Sequence, residues 1–331
     1  YPKDRLEEVS FLTAMTLVFM GNYSQTGHFG GPLAYTPYTV ATHLLGPDMG
    51  GLSYDYRRPK HPFADRFMLA GGHNAPAMYA LWTILGEAMA RKYKETGDER
   101  YFVNQDDAFL PIDCLGFRRS KSGLKDMLEE NGLSNHPLMK DAKGRGIRSL
   151  AGHSESTDMT NDVNGGPSGI GVATAAGKAA FWDLIGSSDS PKIMAIEGEF
   201  AMTSGHSQEM KTQAVAQQVG KRLRVLLSYN NAGIDDELIG GVIQPQFDSY
   251  KIEDQWSSYG WNVFPVDDAN DFDQVAAVFK AMEDWDPSDR RPMIVVGRTT
   301  KGWWPAADKG VLPGYGDQIV SYQSHPYTFE M

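Results

Sequence analysis

The sequence is poor in three things: cysteine, positive charge and long apolar runs. The lone cysteine, Cys114, cannot form an intrachain disulfide, which fits a reducing compartment such as the cytoplasm. The 31 Lys and Arg against 42 Asp and Glu leave a net charge of -11, which argues against a nucleic-acid partner. The apolar stretch 11–20 is preceded by acidic Asp4, Glu7 and Glu8, where a signal peptide would be basic. We therefore expect neither nucleic acid nor a membrane as a partner.

Apolar residues make up 41% of the chain, enough to bury a large core. The runs 193–196 and 224–229 have the length of strands, and the segment at about 206–219 between them has the length of a helix. A strand–helix–strand unit of this size makes a right-handed parallel crossover. Further strands at 261–266 and 293–297, with helices between them, predict an α/β fold. We expect a doubly wound, mostly parallel sheet with helices on both faces.

Polar residues follow the two central strands. Glu199 comes directly after the first strand, within Glu197-Gly198-Glu199-Phe200, which reads as an acidic turn, and Asn231 follows the second. Parallel strands place their carboxyl ends at one edge of the sheet, where such folds bind ligands. Carboxylate and amide oxygens suit Mg²⁺ or Ca²⁺, and Mg²⁺ leaves coordination positions open for phosphate. The pattern predicts a metal–diphosphate site, although two unrelated surface turns would read the same way.

Three Gly-His pairs lie upstream, ending in His28, His73 and His153. Each pair predicts a loop that exposes backbone and a ring nitrogen together, although a histidine in a loop often has no role beyond connecting two elements. The glycine-rich loop 164–171 leads into a helix and offers backbone donors to an anion. A dinucleotide-binding loop is disfavoured, because no strand leads directly into this segment and its Gly-Gly-Pro order is wrong.

Residues 97–150 are poorly periodic and read as an insertion in a single domain of residues 1–331. We expect a lid or an oligomer contact there. Its basic residues make either a solvated face or an anion clamp. They are Lys121, Lys125, Lys140, Lys143, Arg145 and Arg148.

Taken in order, these motifs resemble the N-terminal, diphosphate-binding half of transketolases. The resemblance is carried by four motifs: Gly27-His28 with Pro32; Asp65-Arg66-Phe67 with Gly72-His73; Gly152-His153 with Gly166-Pro167; and Gly198-Glu199 with Asn231. It implies thiamine diphosphate and Mg²⁺, or Ca²⁺ or Mn²⁺, as cofactors. It also implies the transfer of a two-carbon ketol unit from a ketose to an aldose, which are sugars or sugar phosphates.

The resemblance assigns roles to individual residues. Glu199, Asn231 and the carbonyl of Gly233 would hold the metal. Gly198, Phe200, Gly166 and Ser168 would lie against the cofactor. His28, His73 and His153 would be the catalytic residues that bind sugar hydroxyls and move protons. Glu209 matches a glutamate that helps to organise a dimer contact. Lys301 stands where the family carries a histidine, and is either a cationic donor to the diphosphate or the substrate, or a solvated lysine.

The chain also departs from the family. Glu199 replaces an aspartate, Phe200 replaces a glycine, and Ser204 falls near the position of a relay glutamate. The sequence stops before the pyrimidine-binding domain, which carries the glutamate that activates the cofactor. We therefore expect this chain to be the N-terminal subunit of a split transketolase, or half of a processed chain. It would be inactive without a second chain, in a homo- or hetero-oligomer.

Two alternatives remain. An E1-type 2-oxo acid dehydrogenase component uses the same cofactor and a related fold, and the segments 258–263 and 300–302 fit it as well. A degenerate structural subunit would explain the changes at Glu199, Phe200 and Ser204. The sequence leaves open which sugars are used and whether they are phosphorylated.

Overall fold

The structure is a computed structural model that describes residues 1–24, 26–104, 107–119, 126, 128–135, 146–186, 191–230 and 251–305. The predicted ligands Asn231 and Gly233 lie outside these ranges, as does much of the 97–150 insertion. None of the helices within these ranges is long and apolar enough to cross a membrane.

The described elements alternate between helices and strands after the first third of the chain. The α-helices are α1 (Lys3–Ser24), α2 (Gly30–Ala34), α3 (Thr36–Leu44), α4 (Ala75–Thr96), α5 (Ile170–Ile185), α6 (Gly205–Ala216), α7 (Ile252–Ser258) and α8 (Phe272–Asp284). The strands are β1 (Arg66–Leu69), β2 (Ile193–Gly198), β3 (Leu223–Tyr229), β4 (Asn262–Val266) and β5 (Met293–Arg298). Short 3₁₀ helices include Gly72–Asn74, Pro111–Gly116 and Phe200–Thr203.

The five strands form one parallel sheet in the order β1-β2-β3-β5-β4. The central strands are buried on both faces, which is why they read as continuous apolar runs rather than alternating ones. Met194 and Ile196 of β2 face a core built with α1, α3, α4 and α8. Ile193 and Ala195 face a second core with α5, α6 and α7. The predicted doubly wound α/β fold is confirmed.

Helix ends follow the local sequence. Helix α4 carries Pro76 in its first turn, where the missing amide is not needed, and ends at Gly97, whose φ of 66° suits glycine. Helix α8 is capped at its start by Asp271, whose side chain accepts the amide of Asp273 at 2.8 Å. The sequence analysis missed α2, because its five residues begin with two glycines and a proline and are too few to show a helical period.

A cluster of four charged residues closes the amino edge of the sheet. The guanidinium of Arg224, which is 2% exposed, donates to Glu283 at 2.8 Å. Glu283 also accepts from Lys192 at 3.3 Å, and Asp65 accepts the backbone amide of Lys192 at 2.8 Å. This charge cluster (Asp65, Lys192, Arg224 and Glu283) ties the starts of β1, β2 and β3 to α8. Asp65 belongs to the motif Asp65-Arg66-Phe67, but it stabilises the amino edge of the sheet, opposite the predicted site.

Candidate active site

The loop tips after β2 and β3 meet. Glu199 follows β2 and is only 2% exposed, and its Oε1 accepts a hydrogen bond from the backbone amide of Asn230 at 3.2 Å. The crossover topology brings these tips together because both strands end at the same edge of the sheet. A buried carboxylate thus stands where the sequence predicts a metal ligand. The position of Asn231 relative to it stays a prediction.

Glu197 is not in an exposed turn, contrary to the sequence interpretation. It is the fifth residue of β2 and is fully buried, with its Oε1 accepting the amide of Gly198 at 2.9 Å. Burial raises the pKa of Glu197 to about 8, with a smaller contribution from nearby Glu199, while the amides of Gly198 and Gly169 act against the rise. Within the described part of the chain, its Oε2 has no hydrogen-bond partner. The strand therefore delivers two carboxyl groups to one edge of the sheet.

Glu197 belongs to a buried polar cluster with Tyr35 and Asn74. The three side chains converge on Gly71: a Cβ there would lie 2.9 Å from Oε1 of Glu197, 2.8 Å from Nδ2 of Asn74 and 3.3 Å from the hydroxyl of Tyr35. Burial, and then the charges of Glu197 and Glu199, raise the pKa of Tyr35 well above its usual range. Oδ1 of Asn74 likewise has no hydrogen-bond partner among the described residues. Such unpartnered buried oxygens commonly mark a functional site.

The three Gly-His loops also come together. The rings of His28 and His73 lie edge to face, with centroids 5.2 Å apart. Nε2 of His73 lies 3.2 Å from Nδ2 of Asn74, next to the buried polar cluster. The amide of Ser154 donates to the carbonyl of Gly72 at 2.9 Å, which joins the third loop to the second. We call the loops that carry His28, His73 and His153 the histidine loops.

His153 is the most exposed of the three histidine residues, although part of its side chain is covered. Partial burial, followed by the positive charge of Arg118, lowers the pKa of His153. A lowered pKa keeps this imidazole neutral near pH 7, where it can accept a proton from a hydroxyl group.

The second histidine loop packs directly on the glycine-rich loop. A Cβ on Gly72 would lie 1.6 Å from the carbonyl oxygen of Gly165, and the amide of Gly165 donates to Ser154 at 2.9 Å. The missing side chain of Gly72 therefore leaves room for the chain's own backbone at this position. Gly166 and Ser168 lie exposed just beyond this contact.

The start of α5 and the metal loop also pack closely. Gly169 precedes α5 with a φ of 81°, and a Cβ there would lie 1.9 Å from Oγ of Ser204. Ser204 in turn hydrogen-bonds Ser207 at 3.1 Å. The residue at the position of the relay glutamate is therefore packed against the glycine-rich loop.

The loop after β5 completes the edge. Lys301 is 7% exposed, and the amide of the next residue, Gly302, donates to the carbonyl of Gly30 at 2.9 Å. The amide of Thr300 donates to Oδ1 of Asn270 at 2.8 Å. The predicted cationic donor is thus a buried residue beside the first histidine loop, not a solvated lysine.

Phe200 and Glu209, two of the predicted site residues, lie at the margins of the candidate site. Phe200 is half-buried and starts the 3₁₀ helix Phe200–Thr203 directly after Glu199. Glu209 is exposed on α6 and lines a shallow groove against α5 with Ala173 and Gly177. Its predicted contribution is to a dimer contact, and that contribution stays a prediction.

The sequence analysis missed Arg118, which the insertion contributes to the histidine loops. The carbonyl of Leu150 accepts the amide of Arg118 at 2.8 Å, and the amide of Leu150 donates to the carbonyl of Gly116 at 3.0 Å, so that the end of the insertion pairs with residues 116–118 in an isolated bridge. The guanidinium Nη1 then donates to Oγ1 of Thr26 at 3.2 Å, two residues before His28. No local pattern signals this position, because it depends on pairing across about thirty residues of chain.

The carboxyl edge of the sheet therefore holds carboxyl, imidazole, amide and ammonium groups in one region. No group of three or more His, Cys, Asp or Glu side chains that could hold a metal occurs within the described ranges. A single carboxylate is compatible with Mg²⁺, which keeps several waters and takes its other ligands from phosphate. The donor set suits a metal shared with an anionic cofactor better than a closed protein cage.

Comparisons with known proteins agree with this arrangement. Residues 139–319 match the family described as "Transketolase, thiamine diphosphate binding domain". A transketolase from Halalkalibacterium halodurans is 28% identical over 323 residues, which cover 93% of this chain and 39% of that protein. The 6-deoxy-6-sulfo-D-fructose transketolase subunit SqwG from Clostridium sp. is 24% identical over 320 residues, which cover 96% of this chain and 92% of that protein.

Solved structures give the same fold. The transketolase from Leishmania mexicana matches with a TM-score of 0.63 at 19% identity, over 89% of this chain and 36% of that one. This chain therefore spans well under half of that transketolase and of the Halalkalibacterium protein, and nearly all of the Clostridium subunit. Because the family match covers more than half of its 331 residues, the chain belongs to the transketolase family of thiamine-diphosphate-binding domains.

Proposed function

We propose that this chain is the cofactor-binding subunit of a transketolase that depends on thiamine diphosphate and Mg²⁺. The enzyme would move a two-carbon ketol unit from a ketose to an aldose. The observation that carries this proposal is that the three histidine loops contact one another and that the second of them follows β1 at the same edge of the sheet at which buried Glu199 follows β2. A sugar with several hydroxyl groups needs that many polar contacts, and a diphosphate needs a metal ligand beside it.

The residues present fit the cofactor. Glu199 would bind Mg²⁺, with Asn231 and Gly233 as its expected companions. Glu197 is neutral near pH 7, because its pKa is about 8, so it adds little repulsion to a diphosphate. The unpartnered oxygens of Asn74 and Glu197 would gain partners when polar groups fill the site. Lys301 would supply a positive charge from the other side of the same edge.

Thiamine diphosphate, when bound, would supply the carbanion and the electron sink for cleavage of the carbon–carbon bond. The chain's own residues would orient the sugar and handle its protons. His28 and His73, held edge to face, would hydrogen-bond sugar hydroxyls. His153, with its lowered pKa, would accept a hydroxyl proton and return it to an alkoxide.

Activity would require a second chain that carries the pyrimidine-binding domain and its glutamate. The similarity to a protein named as a transketolase subunit, 24% identical over 92% of that protein, supports a split enzyme. The lone cysteine fits the cytoplasmic location that we expect.

The test is reconstitution. Ketol transfer is measured with thiamine diphosphate and Mg²⁺, for this chain alone and for this chain with a co-purifying chain that carries a pyrimidine-binding domain. We expect transfer only from the mixture. Robust transfer by the isolated chain would contradict the need for a partner, and no transfer by the assembled complex would contradict the proposed function.

A second candidate is a structural subunit without cofactor. It is favoured by Glu199, Phe200 and Ser204, which depart from the residues that the family carries at the metal loop and the relay position. Calorimetry with thiamine diphosphate and Mg²⁺ on the assembled complex separates the candidates, since a structural subunit gives no binding heat. The E1-type alternative is disfavoured by the names of the relatives, and pyruvate as substrate tests it in the same assay.

A further inference from the structure

The side chain of Asn74 lies between the first two histidine loops. Asn74 is fully buried, directly after His73 and directly before α4. A Cβ on Gly31, in the helix α2 that follows the first loop, would lie 2.2 Å from Oδ1 of Asn74. A Cβ on Gly71, in the second loop, would lie 2.8 Å from Nδ2 of Asn74. Two glycines, one on each side, therefore leave the space that the amide group occupies.

Helix capping does not account for this side chain. An asparagine directly before a helix usually accepts a hydrogen bond from an amide of the first turn. The side chain of Asn74 makes no such bond, although the structure describes the whole first turn of α4. Pro76 lies in that turn and has no amide hydrogen to offer. The amide group of Asn74 is therefore oriented by groups outside the helix.

The neighbouring carboxyl group determines which end of the Asn74 amide faces His73. Oε1 of Glu197 accepts the amide of Gly198 and lies 2.9 Å from the same Cβ position on Gly71 that Nδ2 of Asn74 approaches. An accepting oxygen attracts the NH₂ group of Asn74 and repels its carbonyl oxygen. The same NH₂ group lies 3.2 Å from Nε2 of His73.

This contact specifies where the proton of the His73 ring lies. An amide NH₂ group can only donate, so Nε2 of a neutral His73 has to accept. The proton of the ring then lies on Nδ1. The hydrogen bond made by one ring nitrogen commonly sets the tautomer of a functional histidine in this way.

We propose that Asn74 is a positioning residue that fixes the Nδ1–H tautomer of His73. The inference rests on the proposed function, since it takes His73 as a residue that binds the sugar. In this tautomer His73 donates a hydrogen bond to a sugar oxygen, while its accepting nitrogen is engaged by Asn74. Of His73 and His153, His153 is then the residue that accepts a proton, in agreement with its lowered pKa. Asn74 thus divides the work between the two rings.

NMR of this chain, labelled with ¹⁵N in its eight histidines, tests the proposal. Long-range correlations between ring protons and ring nitrogens show which nitrogen carries the proton, and His73→Gln identifies the signals of His73. We expect the proton on Nδ1 in the wild type near pH 7, and a proton on Nε2 in Asn74→Asp, because a carboxylate can only accept. A proton on Nε2 in the wild type would overturn the proposal, and so would an unchanged tautomer in Asn74→Asp.

Gly31→Ala breaks the contact without altering either partner. The backbone at Gly31 is helical and accommodates alanine, and the three atoms nearest to the new Cβ all belong to the side chain of Asn74. We expect a mixture of tautomers at His73, as in Asn74→Ala. A pure Nδ1–H form in both variants would mean that other groups set the tautomer. Asn131→Asp, at an exposed position, adds the same charge as Asn74→Asp and should keep the wild-type tautomer.

Kinetics of the assembled complex separate this inference from the proposed function. We expect Asn74→Ala to lower kcat/KM for ketol transfer about 3-fold to 10-fold, the effect of weakening one hydrogen bond. Transfer by a wild-type complex in which Nε2 of His73 carries the proton would defeat only the present inference. An Nδ1–H tautomer that depends on Asn74, in a complex without transfer, would defeat only the proposed function.

Discussion

The backbone amide of Asn230 donates a hydrogen bond to the carboxylate of Glu199, 31 residues earlier in the chain. The contact holds the acidic loop against the next strand before any metal is bound. We therefore expect Glu199 to be positioned in advance for Mg²⁺.

Replacing Glu199 by Gln should weaken Mg²⁺-dependent binding of thiamine diphosphate by more than the roughly 10-fold to 100-fold typical of losing an outer-shell partner. The amide keeps the size of the side chain and removes the charge that a hard cation requires. Calorimetry with and without Mg²⁺ measures the effect on this chain with its partner. Glu7→Gln, at an exposed position on α1, is the control. Unchanged affinity in Glu199→Gln would mean that the metal is held elsewhere.

Substituting Gly72 by Ala tests the packing of the histidine loops, and the same substitution at Gly177 in α5 is its control. Gly72→Ala places a Cβ 1.6 Å from the carbonyl of Gly165, so we expect a loss of about 1–3 kcal/mol in the free energy of unfolding, together with loss of cofactor binding. Gly177 lies inside α5 with open space around it, so Gly177→Ala should gain about 0.5–1 kcal/mol. Denaturant unfolding measures whether the free energy of unfolding falls in Gly72→Ala and rises in Gly177→Ala. A tolerated Ala at position 72 would contradict the close contact.

The buried ring of His43 should make the stability of the protein depend on pH. This effect is separate from the candidate active site. The ring is buried between the carbonyl of Thr39 and the hydroxyl of Thr160, both at 2.7 Å. Burial lowers the pKa of His43 to about 4, so the unfolded chain takes up a proton first as the pH falls. The free energy of unfolding should fall below pH 6.5, by up to about 1.4 kcal/mol per pH unit, until about pH 4.

The variant His43→Phe keeps an aromatic ring in contact with Phe67 and removes the imidazole that takes up a proton in acid. It should be less stable at pH 7, because two hydrogen bonds are lost, and less sensitive to acid between pH 6.5 and pH 4. Urea unfolding over this range measures the slope. His61→Phe changes an exposed ring and should keep the wild-type slope. The same slope in wild type and His43→Phe would show that another group titrates.

Lys301→Met tests whether the buried ammonium serves the cofactor. A charge-assisted hydrogen bond to a diphosphate contributes about 1.5–3 kcal/mol, so we expect the affinity for thiamine diphosphate to fall about 10-fold to 100-fold. The affinity should also depend less on salt than in the wild type. Lys94→Met, exposed near the end of α4, is the control. Equal affinities in the wild type and Lys301→Met would assign Lys301 to the packing of the loop on Gly30.

The fold was readable from the sequence because its signals are local. The strands are apolar runs of the right length, and α4 carries its own starting proline and final glycine. The meeting of Glu199 with the loop after β3 follows from the parallel pairing of β2 and β3, which places both carboxyl ends at one edge of the sheet.

What could not be predicted depends on contacts between distant parts of the chain. Glu197 reads as a turn residue, since nothing in its neighbours says that the strand continues through it. Arg118 lies in a stretch without periodicity and is placed by pairing with Leu150. The contact that explains Gly72 is made by Gly165, 93 residues later in the chain, so the sequence shows only that some group comes close.

The charge cluster at the amino edge of the sheet has a consequence for how this protein can change. Its four ionic side chains hold the strands in alignment from the end that is remote from the histidine loops. Exchanging loops at the far end to alter the accepted sugar should leave that alignment in place. We therefore expect the loops at the carboxyl edge to diverge in sequence without a change in the register of the strands.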